Sequence, residues 1–151
     1  MILTDELCDK LCAAAREKSK EIGIDISFAI SDENGLPRVY RRYGEALVLS
    51  ITLVPGKAYT AAVTQCKTKD VAAADAEGAS LMAIQTNDPK ITLVAGGYPL
   101  FANGKIRVAL ALAAELRNRT AKLQNMLCRY LKNSSDDILI VTLPRHNRRV
   151  P

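Results

Sequence analysis

The N-terminal part of the chain passes from one hydrophobic periodicity to another. Apolar residues recur at helical spacing over residues 5–20, directly after Thr4, whose hydroxyl can cap a helix. Residues 24–30 alternate strictly between apolar and polar or small positions, which is typical of a half-buried strand. An Asp-Glu-Asn-Gly turn at 32–35 leads into a returning strand over 37–43. The pattern therefore predicts a helix followed by a β-hairpin.

The middle of the chain predicts two further helices and two short strands. Helical spacing covers residues 46–62, with an interruption expected near Pro55, and then residues 68–83. An Asp-Pro pair ends the second helix, and residues 91–94 and 99–102 read as strands around a Gly-Gly-Tyr-Pro bend. These segments predict an α+β protein whose strands are mostly antiparallel and connected by hairpins.

The last third of the chain also carries hydrophobic periodicity. Residues 107–112 alternate as a strand does, and residues 113–132 place leucines at the spacing of an amphipathic helix. A further strand-like run covers 138–143, and residues 144–151 form a basic tail that we expect to be frayed. We therefore expect one domain over residues 1–143.

The charge is distributed unevenly along the 151 residues. Residues 1–105 contain 12 Lys+Arg and 13 Asp+Glu, whereas residues 106–151 contain 9 Lys+Arg and 3 Asp+Glu. The positive excess therefore lies in the last third, which includes the run Arg145-His146-Asn147-Arg148-Arg149. This run imitates a nucleic-acid patch, so the origin of the last third decides whether its charge indicates a partner.

Composition restricts the class of protein. The N-terminus lacks the basic and apolar regions of a signal peptide, and no apolar run approaches the roughly 20 residues that span a membrane. The four cysteines form no Cys-x-x-Cys pair, and the single histidine, His146, lies in the tail, so we expect no metal site. Buried thiols in a reducing compartment are the simpler interpretation, which predicts a cytoplasmic protein.

Four short motifs, in order, resemble those of one family. Residues 26–35 resemble its first strand and turn, and residues 41–46 resemble its Arg-x-x-Gly-x-Ala motif. Residues 57–62 resemble its helix motif Lys-Ala-x-Thr-Ala, and residues 96–100 its Gly-Gly-x-Pro-Leu bend. Over about residues 3–105 the chain is thus similar to the GlcG/HbpS-like domain, which also occurs as the C-terminal domain of PduO-type proteins.

The resemblance implies a single α+β domain, with a five-stranded, mainly antiparallel sheet flanked by helices in a profilin-like arrangement, assembled as a homo-oligomer. Some members bind haem or another tetrapyrrole, and some are linked to haem degradation. Others accompany glycolate, glycerol or cobalamin-linked propanediol metabolism. The resemblance therefore predicts a small-ligand-binding domain for a tetrapyrrole or a small metabolite anion. An accessory protein of such a pathway and a haem-degrading enzyme are the alternatives.

Candidate ligand contacts follow from the motifs, although no catalytic constellation is readable. The candidates are Asp32, Lys57, Thr60, Gly96, Gly97 and Tyr98. Lys57 and Thr60 share a helical face and could meet an anion, and the Gly-Gly-Tyr bend could present backbone N–H groups to it. The alternatives are a surface lysine with a helix-interior threonine, a sharp turn between strands, and an aspartate that forms its own turn.

A haem ligand would need an axial partner, usually His, Cys, Met or Tyr. Because the only histidine lies in the tail, the remaining candidates are Tyr59, Cys66, Met82 and Tyr98. Their positions in the sequence give no reason to prefer one of them.

Beyond residue 105 the chain departs from the family, which continues Gly-Gly-Ile-Gly-Val-Ser-Gly-Gly and then a helix containing Glu-Gln-Asp. Permitted codons for Arg107 to Thr120, read from the third base of the Arg107 codon, spell Gly-Gly-Ile-Gly-Val-Ser-Gly-Gly-Thr-Ala-Glu-Gln-Asp. We interpret residues 106–143 as an atypical strand and helix, produced by a single-nucleotide slip near Ile106.

This interpretation has two consequences for binding. Binding that needs the lost glycines would be weakened, because alanine and leucine resist the backbone conformations that glycine adopts. The charge of the basic tail would reflect a shifted reading frame and no selected partner, so we do not expect a nucleic-acid partner.

Overall fold

The structure, a computed structural model, describes residues 3–114. The helix, strand and tail expected over 113–132, 138–143 and 144–151 lie wholly or almost wholly outside the described residues. No helix within the described range is long and apolar enough to cross a membrane. The elements are α1 (Asp5–Glu21), β1 (Ile26–Asp32), β2 (Pro37–Arg42), α2 (Ser50–Thr64), α3 (Thr68–Ala74), a 3₁₀ turn (Ile84–Thr86), β3 (Gly97–Ala102) and β4 (Lys105–Ala114).

The described strands form one antiparallel sheet in the order β2-β1-β4-β3. Phe28 lies opposite Arg41 on one side and Leu112 on the other, and Leu100 lies opposite Val108. The expectation of an α+β domain with an antiparallel sheet is confirmed. Within residues 3–114 the sheet has four strands rather than the expected five.

The predicted strand over 91–94 is the one that the structure does not form. The Ile91 N–H donates to the Asp88 carbonyl (3.1 Å), which closes a turn. The Thr92 N–H donates to the Thr60 hydroxyl (2.8 Å), and the Ile91 carbonyl accepts from the Gln85 side chain (2.7 Å). Because these backbone groups already have partners on α2 and in the preceding turn, they do not join the sheet.

Two helix predictions were also wrong in their bounds. Helix α2 runs through Pro55 without a break, since its inward residues Val54 and Ala58 are fully buried and hold the helix against the sheet. Helix α3 ends at Ala74 instead of residue 83. Gly78 has a φ of +76°, outside the right-handed helical region, and the chain turns back there.

The two faces of the sheet are packed differently. One face carries large side chains against α1, with Phe28, Ile30 and Leu110 almost fully buried. The other face presents Ala29 and Ala111 to α2. Strand β1 is therefore buried on both faces, not half-buried as its alternation predicts, because small residues on the α2 side let that helix lie close to the sheet.

Strand β4 contains the first residues of the stretch that we interpret as the product of a reading-frame slip, and it lies where a strand was expected. We call these residues, from 106 onward, the altered stretch. It pairs with β1 along residues 108–114 and with β3 along residues 105–111. The alternation of Val108, Leu110 and Leu112 with alanines supplies the large residues to one face and the small residues to the other. The prediction of a strand over 107–112 is confirmed. Its alternation of large and small residues matches the packing of the two faces of the sheet.

Candidate functional site

A cleft opens between the β1–β2 hairpin and α2. It has a volume of about 280 Å³, close to the lower end of the roughly 300–1,000 Å³ found for ligand pockets. We call it the hairpin cleft, and its principal lining residues are Ala29, Leu36, Tyr40, Ala58, Tyr59 and Lys90. Its walls are almost entirely apolar, so it suits an apolar ligand body.

The space exists because small residues line the facing surfaces. Ala29 projects from β1 and Ala58 from α2, and both are buried. Gly56 brings α2 against the segment that follows the 3₁₀ turn, where an added Cβ would overlap the Thr92 hydroxyl. These small residues leave space between α2 and the hairpin, and larger side chains surround that space.

One side wall is the ring of Tyr40, whose hydroxyl belongs to a hydrogen-bonded cluster. The Ser27 and Ser50 hydroxyls lie 2.5 Å apart, and both serine side chains are buried. The Tyr40 hydroxyl lies 3.2 Å from the Ser27 Oγ, to which it donates, and 3.3 Å from the Ser50 Oγ. This cluster ties β2, β1 and the first turn of α2 together and holds the ring in place.

The ring of Tyr59 also lines the cleft. It packs against Gly35, where an added Cβ would lie 2.8 Å from the Tyr59 Cδ2. Its hydroxyl donates to the Asp88 carboxylate (2.6 Å). That hydrogen bond raises the pKa of Tyr59 and holds the pKa of Asp88 below its usual value. The phenol is thus kept protonated and the carboxylate ionised.

Lys90 stands at the edge of the cleft beside Tyr59. Its Nζ lies 5.6 Å from the centroid of the Tyr59 ring, in a cation–π arrangement. The Lys90 backbone N–H donates to the Asp88 carboxylate (3.0 Å). Lys90 is the one charged side chain among the residues described as lining the cleft.

Three of the candidate residues from the sequence meet elsewhere, at the contact between α2 and β3. Lys57 is only 3% exposed, and its Nζ donates to the Leu112 carbonyl (3.4 Å). The Leu112 N–H in turn donates to the Gly96 carbonyl (3.1 Å). The Gly97 N–H donates to the Thr68 hydroxyl (3.0 Å). Lys57, Gly96 and Gly97 are therefore brought together around Leu112.

The other three candidates have different surroundings. Thr60 is fully buried, and its hydroxyl donates to the Gly56 carbonyl (2.8 Å) while accepting the Thr92 N–H (2.8 Å). Asp32 accepts two backbone N–H groups of its own turn, each at 2.9 Å. Tyr98 lies half-buried on β3. Ligand contact at all six positions stays a prediction.

Sequence patterns do not single out the residues that bound the hairpin cleft. The sequence names Tyr59 only as a candidate axial ligand of haem. It places Tyr40 in a strand and gives no indication that the residue lines a cleft. Leu36 and Lys90 carry no local signal, because nothing in their flanking residues indicates what they face. Leu36 is 60% exposed, and a single exposed leucine is common on protein surfaces, so its exposure does not indicate the cleft either.

Three of the candidate axial ligands, Tyr59, Cys66 and Met82, are poorly suited to bind haem iron. The Tyr59 hydroxyl is already bonded to Asp88, and burial raises the pKa of the Cys66 thiol, which keeps it protonated. Met82 is 58% exposed and does not line the cleft. Within residues 3–114 no group of three or more His, Cys, Asp or Glu could hold a metal ion. We therefore assign these residues no step of chemistry through bound iron.

Arg107 marks the beginning of the altered stretch. It lies where the register between β3 and β4 shifts, and its Nε is buried with no hydrogen-bond partner. A buried, unpaired donor costs about 1–3 kcal/mol. The origin of this stretch by a reading-frame slip stays a prediction.

Known proteins resemble the chain in sequence and in fold. A sequence model of the family described as "Haem degrading protein HbpS-like" matches residues 3–113. An uncharacterized 15.0 kDa protein from the dhaT-dhaS intergenic region of Citrobacter freundii is 32% identical over 105 residues, covering 69% of this chain and 74% of that protein.

Two further likenesses concern PduO proteins. The corrinoid adenosyltransferase PduO of Citrobacter freundii is 29% identical over 114 residues, which cover 75% of this chain but 34% of that protein. The crystal structure of a PduOC:heme complex superposes with a TM-score of 0.77 at 23% identity, covering 84% of this chain and 93% of that one. This last likeness establishes the fold.

Proposed function

The chain belongs to the HbpS-like family of haem-degrading proteins, and on this premise we propose that it is a small-ligand-binding domain whose ligand lies in the hairpin cleft. Family membership supports a haem-related binding role at the level of the family. The observation that carries the proposal for this chain is the cleft, an apolar cavity of about 280 Å³ whose lining includes two hydrogen-bonded tyrosines.

The ligand is either a small molecule that the cleft encloses or a tetrapyrrole that it holds by one edge. The hydrogen bond of the Tyr59 hydroxyl and the protonated Cys66 thiol favour the first. The relative solved as a heme complex supports the second. Neither version needs a catalytic group, and a haem-degrading enzyme is the alternative that turnover of added haem with a reductant would support.

The contact between α2 and β3 is a second candidate position for an anionic ligand. Lys57 would supply the charge, and Gly96, Gly97 and Tyr98 would supply backbone and ring contacts beside it. Thr60 lies one turn further along α2, and Asp32 lies in the hairpin turn near the hairpin cleft. A ligand here would have to replace existing hydrogen bonds, so we place this position second.

We also propose that the protein acts as a homo-oligomer in the cytoplasm. Four large apolar side chains just before α2 and in its first turn are between 52% and 68% exposed, namely Leu47, Val48, Leu49 and Ile51. A contiguous exposed group of this kind marks interaction surfaces. A subunit of a diol, glycerol or glycolate pathway is the alternative partner, and co-purification with no bound ligand would favour that accessory role.

The proposal is tested by titrating the purified chain with haem and with metal-free protoporphyrin, followed by their visible spectra. Leu36→Glu places a charge at the edge of the cleft on an exposed residue, so it leaves the core intact. Met82→Glu is the matched control, since Met82 is equally exposed and does not line the cleft. Weaker binding in Leu36→Glu alone supports the cleft as the site. Equal binding in all three proteins would show that the tetrapyrrole binds outside the hairpin cleft.

A further inference from the structure

We propose that the hairpin cleft selects a mainly apolar monoanion, such as an aromatic or medium-chain monocarboxylate, with its charged end at Lys90. The inference rests on the proposed function, because it concerns the same cleft. It adds the chemical class of the ligand and the residue that recognises its charge.

The size of the cleft restricts the ligand body. An apolar cavity of about 150 Å³ holds a benzene molecule. A cleft of about 280 Å³ therefore has room for a ring with a short chain, or for a chain of similar volume. Two tyrosine rings, Tyr40 and Tyr59, line the cleft and favour contact with a flat or slender apolar body.

The polar groups that line the cleft are already engaged. The Ser31 hydroxyl donates to the Ala58 carbonyl (3.3 Å). The hydroxyls of Tyr40 and Tyr59 donate to Ser27 and Asp88. A polar group buried in this cleft would lose its water without gaining a partner, which is unfavourable. The part of the ligand inside the cleft must therefore be apolar.

Lys90 is the one charged side chain that lines the cleft within the described residues, and the ionised Asp88 lies close to it without lining the cleft. Asp88 accepts the Tyr59 hydroxyl and the Lys90 backbone N–H, so its carboxylate is turned toward those donors. The Lys90 ammonium lies instead over the Tyr59 ring, beside the opening. A carboxylate on the ligand would meet this ammonium while its apolar body stays in the cleft.

The test compares two probes that differ only in charge, phenylpropanoate and phenylpropanamide, by isothermal titration calorimetry on the full chain. We expect the carboxylate to bind up to about fivefold more tightly than the amide, the upper end of the range for an exposed ion pair. Lys90→Gln brings the ratio of carboxylate to amide affinity close to one, whereas Lys90→Arg keeps the preference. Lys69→Gln, an exposed lysine on α3 outside the cleft, is the matched control.

Methyl resonances of Ala29, Leu36, Val39 and Ala58 report where the probes bind, since these residues line the cleft. Shifts in these methyl groups with both probes, and a preference for the carboxylate that Lys90→Gln abolishes, are the expected results. If both probes shift the methyl groups equally well and Lys90→Gln changes nothing, the monoanion inference is wrong while the cleft stands. If neither probe shifts them, the cleft itself is not the site.

Discussion

Gly97 lies directly against the backbone of Lys57. A Cβ added at Gly97 would overlap the Lys57 carbonyl oxygen and would lie 2.6 Å from the Thr68 methyl group. The glycine therefore lets β3 approach α2 more closely than any other residue would. This packing role accounts for the second glycine of the Gly-Gly-Tyr-Pro bend without any ligand.

Replacement of Gly97 by alanine is expected to lower the free energy of unfolding by about 2–3 kcal/mol, because a backbone atom and a short side chain must move apart. Urea denaturation measures the change. Gly78→Ala is the control, since an added Cβ there meets nothing within 4 Å and only the positive φ opposes it. Its cost should be about 1 kcal/mol. A loss at Gly97 no larger than the loss at Gly78 would contradict the close contact.

The buried pair Ser27 and Ser50 should show strong coupling. Either Ser→Ala substitution alone leaves the other hydroxyl with Tyr40 as its one remaining partner and is expected to cost about 1 kcal/mol. The double substitution removes both polar groups together, so it should cost less than the sum of the two. Thermal unfolding of the four proteins gives the coupling. Simple additivity would show that the two hydroxyls do not depend on one another.

The Tyr59–Asp88 hydrogen bond should appear in the titration of Asp88. Because this bond lowers the folded-state pKa of Asp88, its stabilising effect is present above the ordinary carboxyl range and is lost as the pH falls through the folded-state pKa, below about pH 4. In Tyr59→Phe, we expect the Asp88 pKa to rise toward its usual value. Carboxyl carbon NMR follows it, with Tyr40→Phe as the control that leaves Asp88 unchanged.

The same hydrogen bond acts in the opposite direction on the phenol. It raises the folded-state pKa of Tyr59, so its contribution is complete below the ordinary tyrosine pKa of about 10 and is lost as the pH rises through the raised value. An Asp88→Asn variant should lower the Tyr59 pKa, as read from its ultraviolet absorbance. No change in that absorbance titration would show that the carboxylate does not hold the phenol.

The gene is expected to contain the shifted codons. Reading both strands across Ile106 should give bases that spell Gly-Gly-Ile-Gly-Val-Ser-Gly-Gly one frame away from Arg107 onward. The reason is that the first two bases of each codon determine the last two bases of each shifted codon. A coding sequence without those bases would refute the slip.

A version restored to that frame provides the functional comparison. If it binds haem and the present chain does not, the lost glycines form part of the site. If both bind, the ligand is held by residues before Ile106. Size-exclusion chromatography of both proteins tests whether they are equally compact.

Local patterns predicted most of the elements. The bounds of α1 follow from the Thr4 cap, whose hydroxyl accepts the Leu7 N–H (3.2 Å), and the hairpin follows from its Asn-Gly turn. The errors lie where distant residues decide the outcome. Residues 91–94 have strand-like composition, but Thr60 on α2 takes the Thr92 N–H. The effect of Pro55 was overestimated because the packing of α2 cannot be read from its own sequence.

The candidate site was less predictable than the fold. Family motifs pointed to Lys57 and Gly97, which the structure does bring together, but mainly as a packing contact. The hairpin cleft combines Leu36 from the turn, Tyr59 from α2 and Lys90 from a later loop. No spacing rule relates these three, so no inspection of the sequence could have assembled them.

The sequence by itself determined the class of the protein, its helix starts, its tight turns and the strand character of the altered stretch, because each depends on residues close together along the chain. Only the tertiary structure decided that both faces of β1 are buried, that four described strands form the sheet, and that a cleft lies beside Tyr59. Those features depend on packing contacts between small and large side chains that are far apart in the sequence, and only the folded chain defines those contacts.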